Sequence, residues 1–173
     1  DGAYVATLDL AKRLPGIQGL GFAVALTQKQ KDKHILAIRK QGFPEYTITP
    51  PGLRESYSSI IYIEPFDWRN QRALGFDMWS NPIRRQAMQR ARDTGELSIS
   101  GVITLVQETS KGTQKGFLIY APVYKQGIQV NSLEARQQNL IGWVYAPFRA
   151  NDFMRDILGT KDNDLSFEVY DYD

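Results

Sequence analysis

The pattern of hydrophobic and polar positions predicts strands along most of the chain. Residues 58–64 are the clearest case, because they are apolar on both faces and rich in β-branched and aromatic side chains, as expected of a strand covered on both sides. The same criteria predict strands at residues 20–26, 97–106, 117–124, 140–148 and 165–170, with a shorter candidate at 46–48. The polar turn SKGTQKG joins two of these strands into a long hairpin.

A capped helix is predicted at residues 82–94. Asn81 suits the N-cap, Pro82 the first helical position and Gly95 the position just past the end. Its apolar positions form one stripe, which comprises Ile83, Ala87, Met88 and Ala91. Its arginines fall largely outside that stripe: Arg84, Arg85, Arg90 and Arg92.

Three further helical segments are predicted. A basic helix over residues 28–41 follows Thr27 and ends at Gly42, with Ile35, Leu36 and Ile38 facing inward. The chain opens with the tail of a helix that Pro15 and Gly16 break, and a last helix covers residues 150–158. The polar segment 126–139 is predicted to be a linker with at least one helical turn.

Composition narrows the class of protein. The chain has 173 residues, 42% of them hydrophobic and 23% charged, which is ordinary for a globular domain. Its formal net charge of +2 is too small for the electrostatic footprint of a nucleic-acid binder. The chain has no cysteine, which excludes disulfides, thiolate zinc sites and cysteine nucleophiles. No apolar run approaches the ~20 residues of a membrane-spanning helix.

Catalytic and metal-binding motifs are missing from the sequence. The lone histidine, His34, cannot build a two-histidine metal site and is expected to lie at the surface or in a groove. The acidic cluster at residues 162–164 lacks the glycine and the distant glutamate of a calcium loop and is expected to be a solvated turn. No nucleophile elbow or phosphate-binding loop is present. We expect no catalytic residue, no metal and no cofactor.

The order of elements is typical of an α+β fold, with flanking helices packed on a PAS-like antiparallel sheet. Four ordered segments then resemble a known family: YIEPFDWRNQRALGFDM, the helix end RARDTG, ISGVITLVQE and GFLIYAPVY. Together they are similar to the CHASE domain, the extracytoplasmic sensor module of bacterial and plant transmembrane receptors. PGIQG and GWVYAPFRANDFMRDILG also fit, so the resemblance covers residues 14–170.

The resemblance implies two units. Residues 1–15 are the end of an N-terminal helix, residues 16–125 a membrane-distal PAS-like unit that binds ligand, residues 126–139 a linker, and residues 140–173 a smaller membrane-proximal PAS-like unit. It implies a non-catalytic sensor in the periplasm, anchored by flanking transmembrane helices, that acts as a homodimer. The output would come from a cytoplasmic diguanylate cyclase or histidine kinase in the parent protein. The alternative is a dimerisation or interaction module without a ligand.

The expected ligand pocket lies between the helix at 82–94 and the hairpin beneath it. It comprises Met78, Trp79, Arg84, Arg85, Thr104, Val106, Ile119 and Tyr120. Plant cytokinin receptors of this family carry an acid at the position that Arg84 matches. Because a guanidinium binds carboxylates and phosphates, we expect a small anionic ligand instead of a cytokinin. The alternative is that Arg84 and Arg85 are solvated and that the aromatic residues fill the core.

Overall fold

A computed structural model describes residues 17–68, 70–105, 115–150 and 152–153. In this part of the chain the strands are β1 (Leu20–Thr27), β2 (Ser56–Glu64), β3 (Ser98–Ile99), β4 (Ile103–Thr104), β5 (Lys115–Tyr124) and β6 (Leu140–Arg149). The α-helices are α1 (Gln28–Lys40), α2 (Pro82–Thr94) and α3 (Leu133–Asn139), and two 3-10 turns cover Asn70–Ala73 and Met78–Ser80. The fold is α+β, as the pattern predicts.

The strands form one antiparallel sheet. Their order is β2-β1-β6-β5-β3, and β4 also pairs with β5. Residues 21–24 of β1 pair with residues 142–145 of β6, and residues 116–124 of β5 pair with residues 140–149 on the other side of β6. The last described strand of the chain therefore lies in the middle of the sheet.

The position of β6 differs from what the expected division of the chain at residue 140 implies for this strand. That division placed this strand in a separate membrane-proximal unit, whereas it completes the sheet begun by β1 and β2. The burial of Trp143, Tyr145 and Phe148 follows from this central position. Residues 154–173, which make up most of the rest of the expected second unit and include the predicted strand 165–170, lie outside the described residues.

The strand predicted at residues 97–106 is two short strands, β3 and β4. Ser100 lies between them, where its N–H donates to the Leu118 carbonyl at 2.8 Å and its Oγ accepts from the Leu118 N–H at 2.9 Å. A side-chain oxygen thus takes the place of a backbone carbonyl in the ladder, and the regular pairing is interrupted there. The candidate strand at 46–48 is not formed; next to it, Thr49 makes an isolated bridge with Phe76.

Helix α2 begins and ends where its caps predict. The Asn81 side chain accepts from the Arg84 N–H at 3.0 Å, and Gly95 adopts a left-handed conformation with φ of 78°. Its inward face differs from the predicted stripe. Ala87, Met88 and Ala91 are buried, but Ile83 is 40% exposed and Arg84 only 4% exposed.

Helix α1 covers a second, smaller core formed by Tyr46, Ile48 and Tyr57. Ile35 and Ile38 pack against this core, as predicted, whereas Leu36 is 57% exposed and the prediction for it was wrong. The reason is geometric, since residues 35 and 38 lie on one face of a helix and residue 36 is rotated away from it.

Candidate ligand-binding site

Arg84 is the buried cation among the residues that the structure describes. It occupies the first turn of α2, and its Nη2 donates to the Thr104 carbonyl at 3.0 Å. Its guanidinium carbon lies 5.1 Å from the centre of the Phe76 ring. Its Nε has no hydrogen-bond partner among the described residues, and no carboxylate among them forms an ion pair with it.

Two buried tyrosines lie near this cation. Tyr120 on β5 and Tyr145 on β6 are register partners, so their side chains stand on the same face of the sheet, toward α2. The Tyr120 hydroxyl donates to the Met78 sulfur at 3.5 Å, while the Tyr145 hydroxyl has no partner among the described residues. The fold makes room for Tyr145 at Gly21, where a Cβ would lie 2.5 Å from the ring.

Burial controls the electrostatics of this cluster. Loss of hydration lowers the pKa of Arg84, and the neighbouring Tyr120 and Tyr145 act in the opposite direction. Burial also raises the pKa of both tyrosines, so that both hydroxyls are neutral hydrogen-bond donors at physiological pH. The cluster therefore presents a positive charge and a free O–H donor in a region of low dielectric.

A buried charge without an opposite charge is costly, because the water it loses is not replaced. Here one carbonyl and one aromatic face replace part of that hydration. The unpartnered Nε of Arg84 and hydroxyl of Tyr145 are both donors, so the groups that would satisfy them are acceptors. A carboxylate or phosphate would also compensate the charge.

The structure brings only some of the predicted site residues together. Met78, Arg84 and Tyr120 belong to one buried cluster with the backbone of Thr104. Arg85 is exposed, and the exposed Thr104 hydroxyl accepts from the Lys115 Nζ at 3.1 Å, so neither side chain faces the cluster.

The remaining predicted residues lie elsewhere. Trp79 is half-buried and packs on Trp143 with ring centres 5.5 Å apart. Ile119 faces the opposite side of the sheet, because Leu118 and Tyr120 next to it are the buried positions of β5. Val106 lies outside the described residues.

Tyr145 and Phe76 are the members of the cluster that the sequence analysis missed. Tyr145 was assigned to the other unit, although the alternation of Trp143 and Tyr145 marks an inward-facing pair. Phe76 precedes a helical turn and carries no motif that would mark it. Gly21 opposite the large Tyr145 ring indicates that this ring packs inward, but this sign can be recognised only once the strand pairing is known.

Asp77 holds the turn that carries Met78 against β2. It is fully buried, and its Oδ1 accepts from the N–H groups of Ser58 at 2.7 Å and Trp79 at 3.1 Å. Its Oδ2 accepts from the Arg54 Nε at 2.9 Å. Burial raises the pKa of Asp77, and these donors partly offset the rise. The carboxylate thereby joins β2 to the turn that carries Met78.

In the described part of the chain, no group of three or more metal-ligating side chains is present. None of the helices described is both long and apolar enough to span a membrane.

Comparison with known proteins gives one family and a distant relative. The model of the CHASE domain family matches residues 2–173. The protein named hybrid signal transduction histidine kinase A, from Dictyostelium discoideum, is 28% identical over 130 residues. That alignment covers 72% of this chain and 6% of the relative, so the chain spans a small part of that protein's length.

Proposed function

The chain belongs to the CHASE domain family, and from this premise we propose that it is the extracytoplasmic ligand-sensing domain of a transmembrane signalling receptor. CHASE domains are sensor modules of signalling receptors and are not catalytic. In this proposal the domain lies in the periplasm and works as a homodimer in the full receptor. Its signal passes to a cytoplasmic histidine kinase or diguanylate cyclase, and the name of the distant relative supports the kinase.

The arrangement of the sheet supports a PAS-like sensor unit. The sheet has five antiparallel strands when β3 and β4 are counted as one interrupted strand. Helix α2 packs on the face of the sheet that carries Tyr120 and Tyr145. A ligand held between that helix and that face would contact both β5 and β6. Binding would therefore affect the packing of the central strand of the sheet.

The observation that carries the proposal is the buried guanidinium of Arg84, for which the described residues supply no carboxylate. We infer that the ligand is a small anion whose oxygens accept from Arg84 Nε and Tyr145 Oη, two donors of this cluster that have no partner among the described residues. Because Arg84 is almost completely buried, binding also requires side chains of the cluster to move. This local opening is the step through which occupancy would change the packing of α2 on the sheet.

Arg84→Met and Arg85→Met form a matched pair for the test, since the two arginines are neighbours and only Arg84 is buried. Thermal-shift screening would use carboxylates, phosphates and adenine derivatives. A ligand at ~100 times its dissociation constant adds about 2.7 kcal/mol to the free energy of unfolding and raises the melting temperature by several degrees. We expect Arg84→Met to abolish the shift and Arg85→Met to keep it.

Without ligand, Arg84→Met is expected to be neutral or to stabilise the fold by about 1–2 kcal/mol, because methionine fills the space without the desolvation cost. Urea unfolding measures this difference. A loss of more than about 2 kcal/mol would mean that Arg84 is already compensated inside the fold. If Arg84→Met binds every hit as well as the parent does, the anion site at Arg84 is wrong and the ligand binds elsewhere. If no compound shifts the melting temperature of the parent, the interaction module without a ligand becomes the better assignment.

A further inference from the structure

A concave site lies about two helical turns from Arg84. It is a cleft of about 300 Å³, at the end of the sheet where β1 ends and β2 and β6 begin. This volume is at the lower end of the ~300–1,000 Å³ range of ligand pockets. Arg92 of α2 lines the cleft, and eight residues of α-helix separate it from Arg84 by about 12 Å. The two sites therefore do not share their charged groups.

The floor of the cleft is apolar and held in place. Trp79, Leu140 and Trp143 contribute to it. The Trp143 indole N–H donates to the Met88 carbonyl at 3.0 Å, which fixes that ring against α2. Trp79 packs between Trp143 and the Arg92 guanidinium, whose carbon lies 5.6 Å from the Trp79 ring. A ligand would meet a preformed surface here.

The charges that line the cleft are all positive among the described residues. Arg92 and Lys125 line it, and no aspartate or glutamate does. Arg92 pairs with Asp93 at 2.6 Å and lies in the last turn of α2, where a cation offsets the negative end of the helix dipole. Lys125 is exposed and makes no ion pair in the described part of the chain. It is the cation that remains for a ligand.

The N-terminal end of α1 adds to this positive potential. Thr27 and Gln30 line the cleft, and the first turn of α1 contains no acidic residue. The positive end of that helix dipole is therefore not offset by its own sequence. Gln137 and Gln138 of α3 also line the cleft. The Gln137 amide already donates to Asp93 Oδ1 at 3.1 Å, so Gln30 and Gln138 are the rim amides that can donate to a ligand.

We propose that this cleft binds a small organic carboxylate. Its carboxylate oxygens accept from Lys125 and the rim amides, and its apolar part lies against Trp79 and Leu140. This combination of an apolar floor with few polar groups is what orients ligands in small-molecule sites. The site is separate from the anion site proposed at Arg84, so the two can fail independently.

Isothermal titration calorimetry with 3-phenylpropionate and its amide, 3-phenylpropionamide, tests the proposal. The two probes share their apolar part and differ in charge. We expect the carboxylate to bind about threefold or more tightly than the amide, as suits a partly exposed charge pair. Lys125→Gln should bring this ratio close to one. Lys33→Gln, an exposed lysine of α1 that does not line the cleft, should leave it unchanged.

Nuclear magnetic resonance locates the probe in the same protein. Bound 3-phenylpropionate should shift the side-chain amide signals of Gln30 and Gln138 and the indole N–H signal of Trp143. Shifts confined to Tyr120 and Tyr145 would place the carboxylate at Arg84 and overturn the proposal. An equal ratio in the parent and in Lys125→Gln would overturn it too. Inorganic phosphate binding as tightly as 3-phenylpropionate would show that the floor contributes nothing, and would overturn the assignment to an organic ligand.

Discussion

At the scale of single residues, two buried ionisable side chains differ in how their charge is compensated. Asp77 has a guanidinium and two backbone N–H donors around its carboxylate. Arg84 has one carbonyl and one aromatic ring, and no carboxylate among the described residues. Asp77 is therefore expected to be a structural group, whereas Arg84 is available to a ligand.

Asp77→Asn should lower the free energy of unfolding by about 2–3 kcal/mol. It leaves Arg54 without a carboxylate, and the new side-chain NH2 group faces one of the N–H donors that Asp77 now accepts from. The estimate is below that for a fully buried pair, since the Arg54 side chain is 23% exposed. Urea unfolding measures the loss. Asp93→Asn breaks the surface pair with Arg92 and serves as the control, with an expected loss below about 1 kcal/mol. Equal losses in the two variants would contradict the structural role of Asp77.

His34 should make stability depend on pH. Its Nε2 lies 3.0 Å from the Tyr46 hydroxyl, and burial lowers the pKa of His34 below its usual 6.5. Between these two pKa values the unfolded chain binds more protons than the folded chain, so stability falls as the pH drops below about 6.5. The slope is at most about 1.4 kcal/mol per pH unit.

The measurement is urea unfolding of the parent and of His34→Gln between pH 7.5 and 5.5, where ordinary carboxylates stay ionised. Glutamine keeps an acceptor for Tyr46 but does not titrate. We expect the parent to lose stability across this window and His34→Gln to lose less. Identical slopes would show that His34 is as easily protonated in the folded protein as in the unfolded chain.

At the scale of elements, α2 depends on its first residues. The N-cap residue Asn81 holds the backbone of Arg84, because its side chain accepts from the Arg84 N–H. The helix that begins there directs the Arg84 side chain inward. Asn81→Ala removes this acceptor and should cost about 1 kcal/mol. Gln89→Ala, on the exposed face of the same helix, should change stability by less than about 0.5 kcal/mol.

Urea unfolding of both variants checks the cap, and thermal shift with a ligand of the Arg84 site checks its effect on binding. We expect Asn81→Ala to weaken binding as well as stability. An Asn81→Ala variant as stable as Gln89→Ala would mean that water replaces the cap at no cost.

At the scale of the whole molecule, β6 joins the two sides of the sheet. It pairs with β1 on one side and β5 on the other, and it supplies Trp143 and Tyr145 to the core. A chain that stops at residue 139 lacks this strand and should not fold, since β1 and β5 would lose their shared neighbour. Circular dichroism and urea unfolding of the shortened chain measure this. A cooperative transition in it would support the division at residue 140 that the sequence favoured.

The local features of the chain were predictable because they act over a few residues. The caps Asn81 and Gly95 define α2 through bonds that span three or four positions. The apolar pattern of residues 58–64 marks β2 because side chains alternate between the two faces of a strand. The buried face of α2 was within reach too: residue 84 lies three and four positions before Ala87 and Met88, on the same face. Its charge, not its spacing, was the reason for the alternative in which Arg84 is solvated.

The sequence by itself determined most of the described elements and the family of this protein, because both follow from ordered local patterns. Only the tertiary structure decided that β6 lies between β1 and β5, which brings Tyr145 beside Tyr120 and above Gly21. Strand order depends on which long-range pairings bury the most apolar surface, and no local pattern encodes that choice. The burial of Arg84 is likewise a property of the packed molecule, since the cost of a charge depends on the groups that replace its water.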